Sequence, residues 1–332
     1  MNKIGLLAAI VSVVLQAPVA AKASEPRWQC NEQALVFNNK AENNLHAYLS
    51  FLARNPSALP DGLNAQDRQK WHAAISQYQL HTSQPRFHPL FSDSELSELT
   101  EHLFDANSAV TDLPVNNLTR GYFAVMSSYR DEIWPQHQAQ NQAWTQQSIA
   151  LLDRYGEQVC SRLSDIFGTN VIVAQQHRVL TVARPFTHAG AFTSGRNLIT
   201  FINSYQAGFQ DGLALEMLFH EVAHTSFPDS PLYQALQSRA KAQGKQAEFK
   251  SLWHPMLFYM VGEVTRQTLA EQGHTFVPYA HWKGLYKNRQ DPLAKLNQYW
   301  QPYMAGQVSQ QQAINNLIDA SVIPISLNTC SI

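Results

Sequence analysis

Two histidines stand four residues apart in Leu218-Phe219-His220-Glu221-Val222-Ala223-His224-Thr225, with a glutamate directly after the first. At about 3.6 residues per turn they lie one turn apart on one helical face, so both imidazoles can reach a single ion. Zinc suits such a pair, because it takes neutral imidazole nitrogens at about 2.0–2.1 Å in a tetrahedral set. Glu221 is turned about 100° from His220. It can therefore lie beside an ion without binding it, where a base must stand. A zinc with three protein ligands keeps a fourth position for water and lowers that water's pKa to about 7. Glu221 would take the proton as the water attacks a carbonyl, and deliver it to the leaving amine.

The plain alternative is a buried helix that happens to carry two core histidines. Leu213, Leu215, Met217, Leu218, Phe219, Val222 and Ala223 surround the motif and imply burial on every side. Burying Glu221 and two histidines there with no ion to pair them would be costly. The metal reading is therefore the one the residues favour.

The elements that must hold this helix are legible in outline. Segments 33–53, 65–80 and 93–107 have helical apolar spacing, the third with Ser92 or Asp93 as N-cap. Residues 138–167 repeat the pattern at greater length, and Gly168-Thr169-Asn170 stops it. The period then changes: 171–174, 179–183 and 197–203 are β-branched runs that read as three strands. Helices resume over 212–227, 232–243 and 255–272, with Pro255 at a first turn and Gly273 as a stop. Weaker helical patterns follow near 293–303 and 310–320. The expectation is an α+β chain, predominantly helical, with a helical N-terminal region over 24–135 and the chemistry carried by 136–332.

At His220-Glu221-x-x-His224 the sequence resembles the zincin metallopeptidases, whose signature is His-Glu-x-x-His on a helix beneath a small sheet. The resemblance spans roughly residues 140–290 and rests on that motif and the element order. It implies an edge strand before the active helix, to which a peptide adds as an extra strand; Asn197–Asn203 stands in that place. Metzincins extend the motif with a glycine and a third histidine, but Phe227 and Ser230 occupy those positions, which excludes that branch. Gluzincins take a glutamate from a downstream helix. The resemblance thus implies His220, His224 and Glu263 as zinc ligands and Glu221 as general base.

Glu263 sits among Tyr259, Met260, Val261 and Val264, a place where a carboxylate is rarely buried unpaired. Gly262 beside it would let the two helices approach closely. Arg266, one turn on, offers Glu263 an ordinary ion pair instead. His254, Asp229 and Glu271 remain open as third ligand. Several gluzincins place an aspartate four residues after the ligand glutamate to orient a histidine; Gln267 stands here, and Asp229 is a substitute candidate for that support. The resemblance also implies a Tyr or His that stabilises the developing oxyanion. Tyr286, after a Gly turn, is favoured, ahead of His281 and Tyr279.

Bulk properties bound the rest. The 332 residues carry 24 basic and 25 acidic side chains, dispersed and nearly balanced, so nucleic acid and anionic lipid are not expected partners. Residues 1–23 open with one positive charge at Lys3, continue in an apolar run and end in Ala21-Lys22-Ala23, the pattern of a cleaved signal peptide. No later segment reads as a membrane span. An exported chain, periplasmic or extracellular, can pair two of Cys30, Cys160 and Cys330 in any of three ways. The function expected is zinc-dependent hydrolysis of a peptide or protein substrate. The alternatives are a zincin-fold protein that only binds a metal or partner, and an amidase acting on a non-peptide, cell-wall amide.

Overall fold

The structure is a computed structural model and describes residues 25–82, 94–104, 113–185, 190–194, 198–286 and 292–320. The expected signal peptide, the N-cap at Ser92 or Asp93, and Cys330 lie outside them. Among the described residues no helix is long and apolar enough to cross a membrane.

The chain is α+β, mostly helical, with one five-stranded sheet. The strands are β1 (Arg27–Cys30), β2 (Gln33–Asn38), β3 (Gln176–Val182), β4 (Ala191–Ser194) and β5 (Ile199–Asn203). Their spatial order is β1-β2-β3-β5-β4. The inner three run parallel, and β1 and β4 pair antiparallel at the two edges. Helices α1 (Ala41–Arg54), α2 (Ala65–Thr82) and α3 (Ser94–Phe104) follow β2. A long helical run then passes through α4 (Asn117–Ser128), α5 (Trp134–Leu151) and α6 (Glu157–Phe167), joined by π turns at Tyr129–Ile133 and Leu152–Gly156. Gly168 ends it in the left-handed conformation, with φ 72°.

After the sheet come α7 (Asp211–Ala223), which bears the motif, α8 (Pro231–Ala242), and the long α9 (Gln246–Ala270). The short α10 (Tyr279–Lys283), α11 (Pro292–Lys295), α12 (Gln301–Met304) and α13 (Gln310–Asp319) complete the described residues.

The sheet separates two apolar cores. Leu180, Val182, Ile199 and Phe201 face the N-terminal helices, whereas Val179, Ala191 and Ile202 face α7 and α9. Strand β5 is buried on both faces, as a parallel inner strand requires. Buried asparagines join the layers: the Asn141 amide donates to Asn44 Oδ1 at 2.9 Å and Thr181 O at 3.2 Å, tying α5 and α1 to β3.

Four local expectations are corrected. The run 33–53 is not one helix, because Gln33–Asn38 pairs with β3; a short apolar run can be either element, and the partner strand decides. Segment 171–174 forms no strand, although Val171 and Ile172 are buried. Ile199–Asn203 is not the edge, since β4 covers it and is itself the edge strand. Pro255 lies inside α9, not at its first turn, for the helix begins at Gln246, where Phe249 and Leu252 already bury an apolar face.

Strand β1 turns Trp28 and Cys30 toward α6, where Gly156 leaves room for the indole: a Cβ there would stand 2.6 Å from Trp28. Cys160, one turn on, pairs with Cys30. The N-terminal strands are thereby stapled to α6, which packs against α8 and α9.

Candidate metal centre

Helix α7 is buried from Ala214 to Ala223, and the polar residues of that stretch are Glu216, His220 and Glu221. His220 and Glu221 lie in its last turn, and His224 is the C-cap. The chain leaves through a 3-10 turn at Phe227–Asp229, and the Ser230 hydroxyl caps α8 by accepting from Tyr233 N at 3.1 Å. The helix therefore ends just after it has presented both imidazoles.

His220 Nε2 and His224 Nε2 stand 3.2 Å apart. Two nitrogens bound tetrahedrally at 2.0–2.1 Å would be separated by about 3.3 Å, so the pair is spaced as ligands to one ion. His254, from α9, brings a third imidazole, and the ligand atoms of all three lie within 4.8 Å of one another. The ring of Phe258, one turn past His254, stacks on His220 at 3.6 Å and packs edge-on to His254. Trp253 meets His224 edge-on. These aromatic walls restrict rotation of the imidazoles.

Burial disfavours the charged form of these histidines. It holds His224 at about 4 and His220 well below its ordinary value. Each is thus neutral near pH 7, the form that binds a metal. A set of three imidazoles, buried His220 with half-buried His224 and His254, could hold a metal ion.

Glu263 is not brought to this group. Its carboxylate takes two bonds from Arg266, Nε to Oε2 at 3.0 Å and Nη2 to Oε2 at 2.8 Å, with Oε1 also within 3.1 Å of Nε. The reason is helical geometry: nine residues beyond His254 is two and a half turns, so Glu263 is on the opposite side of α9 and about 13.5 Å further along. The set His220, His224 and Glu263 is therefore not assembled; the side chain within reach of the two histidines is His254. Asp229 ends the 3-10 turn, its carbonyl accepting from Gln234. Glu271 pairs with Arg162 at 2.7 Å. Neither joins the histidines.

The close helix approach expected at Gly262 is present. A Cβ on Gly262 would stand 2.8 Å from Pro278 and 3.0 Å from Glu216 Oε1 of α7. Glu216, one turn before His220, is fully buried; its Oε2 accepts from Tyr279 N at 2.7 Å. Burial raises it to about 8, against the pull of that bond.

Glu221 is 5% exposed. Its Oε2 accepts from the Thr193 hydroxyl of β4 at 2.9 Å. Burial lifts its carboxyl to about 8, and the Thr193 bond opposes the rise. Of the three oxyanion candidates, Tyr286 donates to Pro255 O at 3.3 Å and packs on His281, and His281 is exposed. Tyr279 instead stacks on Phe258, the ring that covers His220. Its hydroxyl is raised to about 12 by burial and then by the nearby charges of Glu221 and Glu216. Tyr279 is accordingly the tyrosine that feels the motif glutamate most directly.

Thr193 carries no signal in the sequence, since it belongs to no motif. Glu216 had one usable signal, a carboxylate one turn before His220 on an apolar helix. No family model, curated protein or solved structure matches the chain.

Proposed function

We propose that the chain is an exported zinc-dependent metallopeptidase of zincin type in which His220, His224 and His254 hold the metal. The observation that carries this reading is the convergence of three imidazoles, two of them held neutral by burial, beside the buried carboxyl of Glu221. Bound there, zinc would supply a Lewis acid, an acidified water and a positive charge that draws Glu221 toward its carboxylate form.

The chain's own residues supply the rest. Glu221, fixed through Oε2 by Thr193, leaves Oε1 to take a proton from the attacking water and return it to the leaving amine. Tyr279 is the donor that would meet the developing oxyanion. β4, an edge strand among the described residues, would provide main-chain partners for an extended peptide. The Cys30–Cys160 bridge supports an oxidising, exported setting.

The test is reconstitution of metal-free protein with zinc and mass-spectrometric readout of a mixed peptide library. Cleavage that disappears in Glu221→Gln while zinc is retained is the expected result. Zinc binding without cleavage would leave a metal-binding protein, and cleavage confined to cell-wall amides would make it an amidase.

A further inference from the structure

The sheet face beneath α7 carries three polar side chains where apolar ones would pack more simply. His177 of β3, Thr200 of β5 and Thr193 of β4 form a line across the strands. Thr193 is the register partner of Thr200, and His177 lies two residues before Val179, which pairs with Thr200 on the other side. His177 Nε2 is 2.9 Å from Thr200 Oγ1, and Thr200 Oγ1 is 2.8 Å from Thr193 Oγ1. Thr193 Oγ1 is 2.9 Å from Glu221 Oε2 and 2.8 Å from Glu221 O. His177 and Thr200 are fully buried.

Resting on the reading of Glu221 as general base, we propose that Thr193 is the positioning residue for its carboxyl, held in turn by Thr200 and His177.

Proton counting supports a directed chain. Burial keeps His177 neutral, at about 4, so it has one N–H to give. His177 Nδ1 has no partner among the described residues, so that proton belongs on Nε2, where Thr200 accepts it. Thr200 then has its own proton free for Thr193, and Thr193 has its proton free for Glu221. Each donor points toward the carboxyl.

A paired Thr-Thr contact alone would be ordinary sheet stabilisation. What exceeds it is the second end of Thr193, which meets both the side chain and the carbonyl of Glu221. One hydroxyl serves Glu221 in either protonation state. It donates to Oε2 when Glu221 is a carboxylate. With the proton carried on Oε1, it goes on donating to Oε2 or turns its one proton to the carbonyl, so the carboxyl keeps its place. Thr193 also sits on the edge strand, so a peptide added there would lie against the same residue that aims the base.

The test replaces the hydroxyl by an isosteric methyl. In Thr193→Val, kcat falls about 10–100-fold, the usual effect of removing such a supporting partner, while KM and zinc content hold. Thr193→Ser restores kcat. The crystal structure of Thr193→Val should show the Glu221 carboxyl turned away with the three imidazoles superposed. Thr200→Val gives a smaller fall in the same direction and serves if Thr193→Val does not fold. A Glu221 carboxyl that keeps its place in a folded Val variant overturns the proposal, as does an unchanged kcat. Failure of the zinc-loaded wild type to hydrolyse any amide overturns the proposed function alone, because the crystallographic comparison still decides the positioning role.

Discussion

Replacing His254 by alanine separates the three-histidine site from its rival. A structural zinc site binds with about 10–16 kcal/mol over four ligands, or about 2.5–4 kcal/mol for each. At about 1.4 kcal/mol per tenfold, losing one imidazole weakens zinc by roughly 10²–10³. His220 and His224, spaced 3.2 Å apart on one helix turn, would remain as a two-ligand site open to solvent on the α9 side. Glu263→Gln is the control. Its carboxylate is bound to Arg266 at 2.8 Å, and it stands about 13.5 Å along α9 from His254, so zinc affinity should stay within about threefold. The pair is partly solvent-screened, with Arg266 40% exposed, so the stability loss stays below about 1 kcal/mol. Competition with a chromophoric chelator reads both affinities. If Glu263→Gln weakens zinc as much as His254→Ala, the ligand set argued above is wrong.

Other consequences can be checked in parallel. Tyr279→Phe should lower kcat by about 10²–10³ with zinc retained, if its hydroxyl meets the oxyanion; Tyr286→Phe should not. The metal-free protein should be most stable near pH 6.5. Burial holds His46 at about 3 and His137 and His177 at about 4, so their contribution is present above 6.5 and is lost as pH falls toward those values. Glu216 is raised to about 8, so its contribution is present below about 4.5 and is lost as pH rises through 8. Unfolding midpoints in urea across pH 4–9 would show the maximum, and Glu216→Gln should flatten the alkaline limb. Reducing the Cys30–Cys160 bridge, which closes a loop of 130 residues, should lower unfolding free energy by up to about 5 kcal/mol on chain-entropy grounds, read from urea curves with and without reductant.

Sequence alone determined what depends on neighbours a turn or less away. The one-turn spacing of His220 and His224, the flanking position of Glu221, the apolar belt of α7 and the stop at Gly168 are local facts. They come out of helical periodicity and cap chemistry, and the helix begins where the pattern puts it but ends at Ala223, short of the expected 227. Tertiary structure decided whatever joins distant segments. Gln33–Asn38 has an apolar run that suits helix or strand, and only pairing with β3 settles it. Cys30 could have bridged to either partner until β1 was laid beside α6. The same holds at the site itself. Both His254 and Glu263 are on α9, and both looked eligible as ligands. Which one faces His220 depends on how α9 is rotated against α7, and that rotation is set by packing. Gly262 beside Glu216 and Phe258 against the His220 ring hold the rotation that brings His254 inward, and half a turn of helix leaves Glu263 to Arg266.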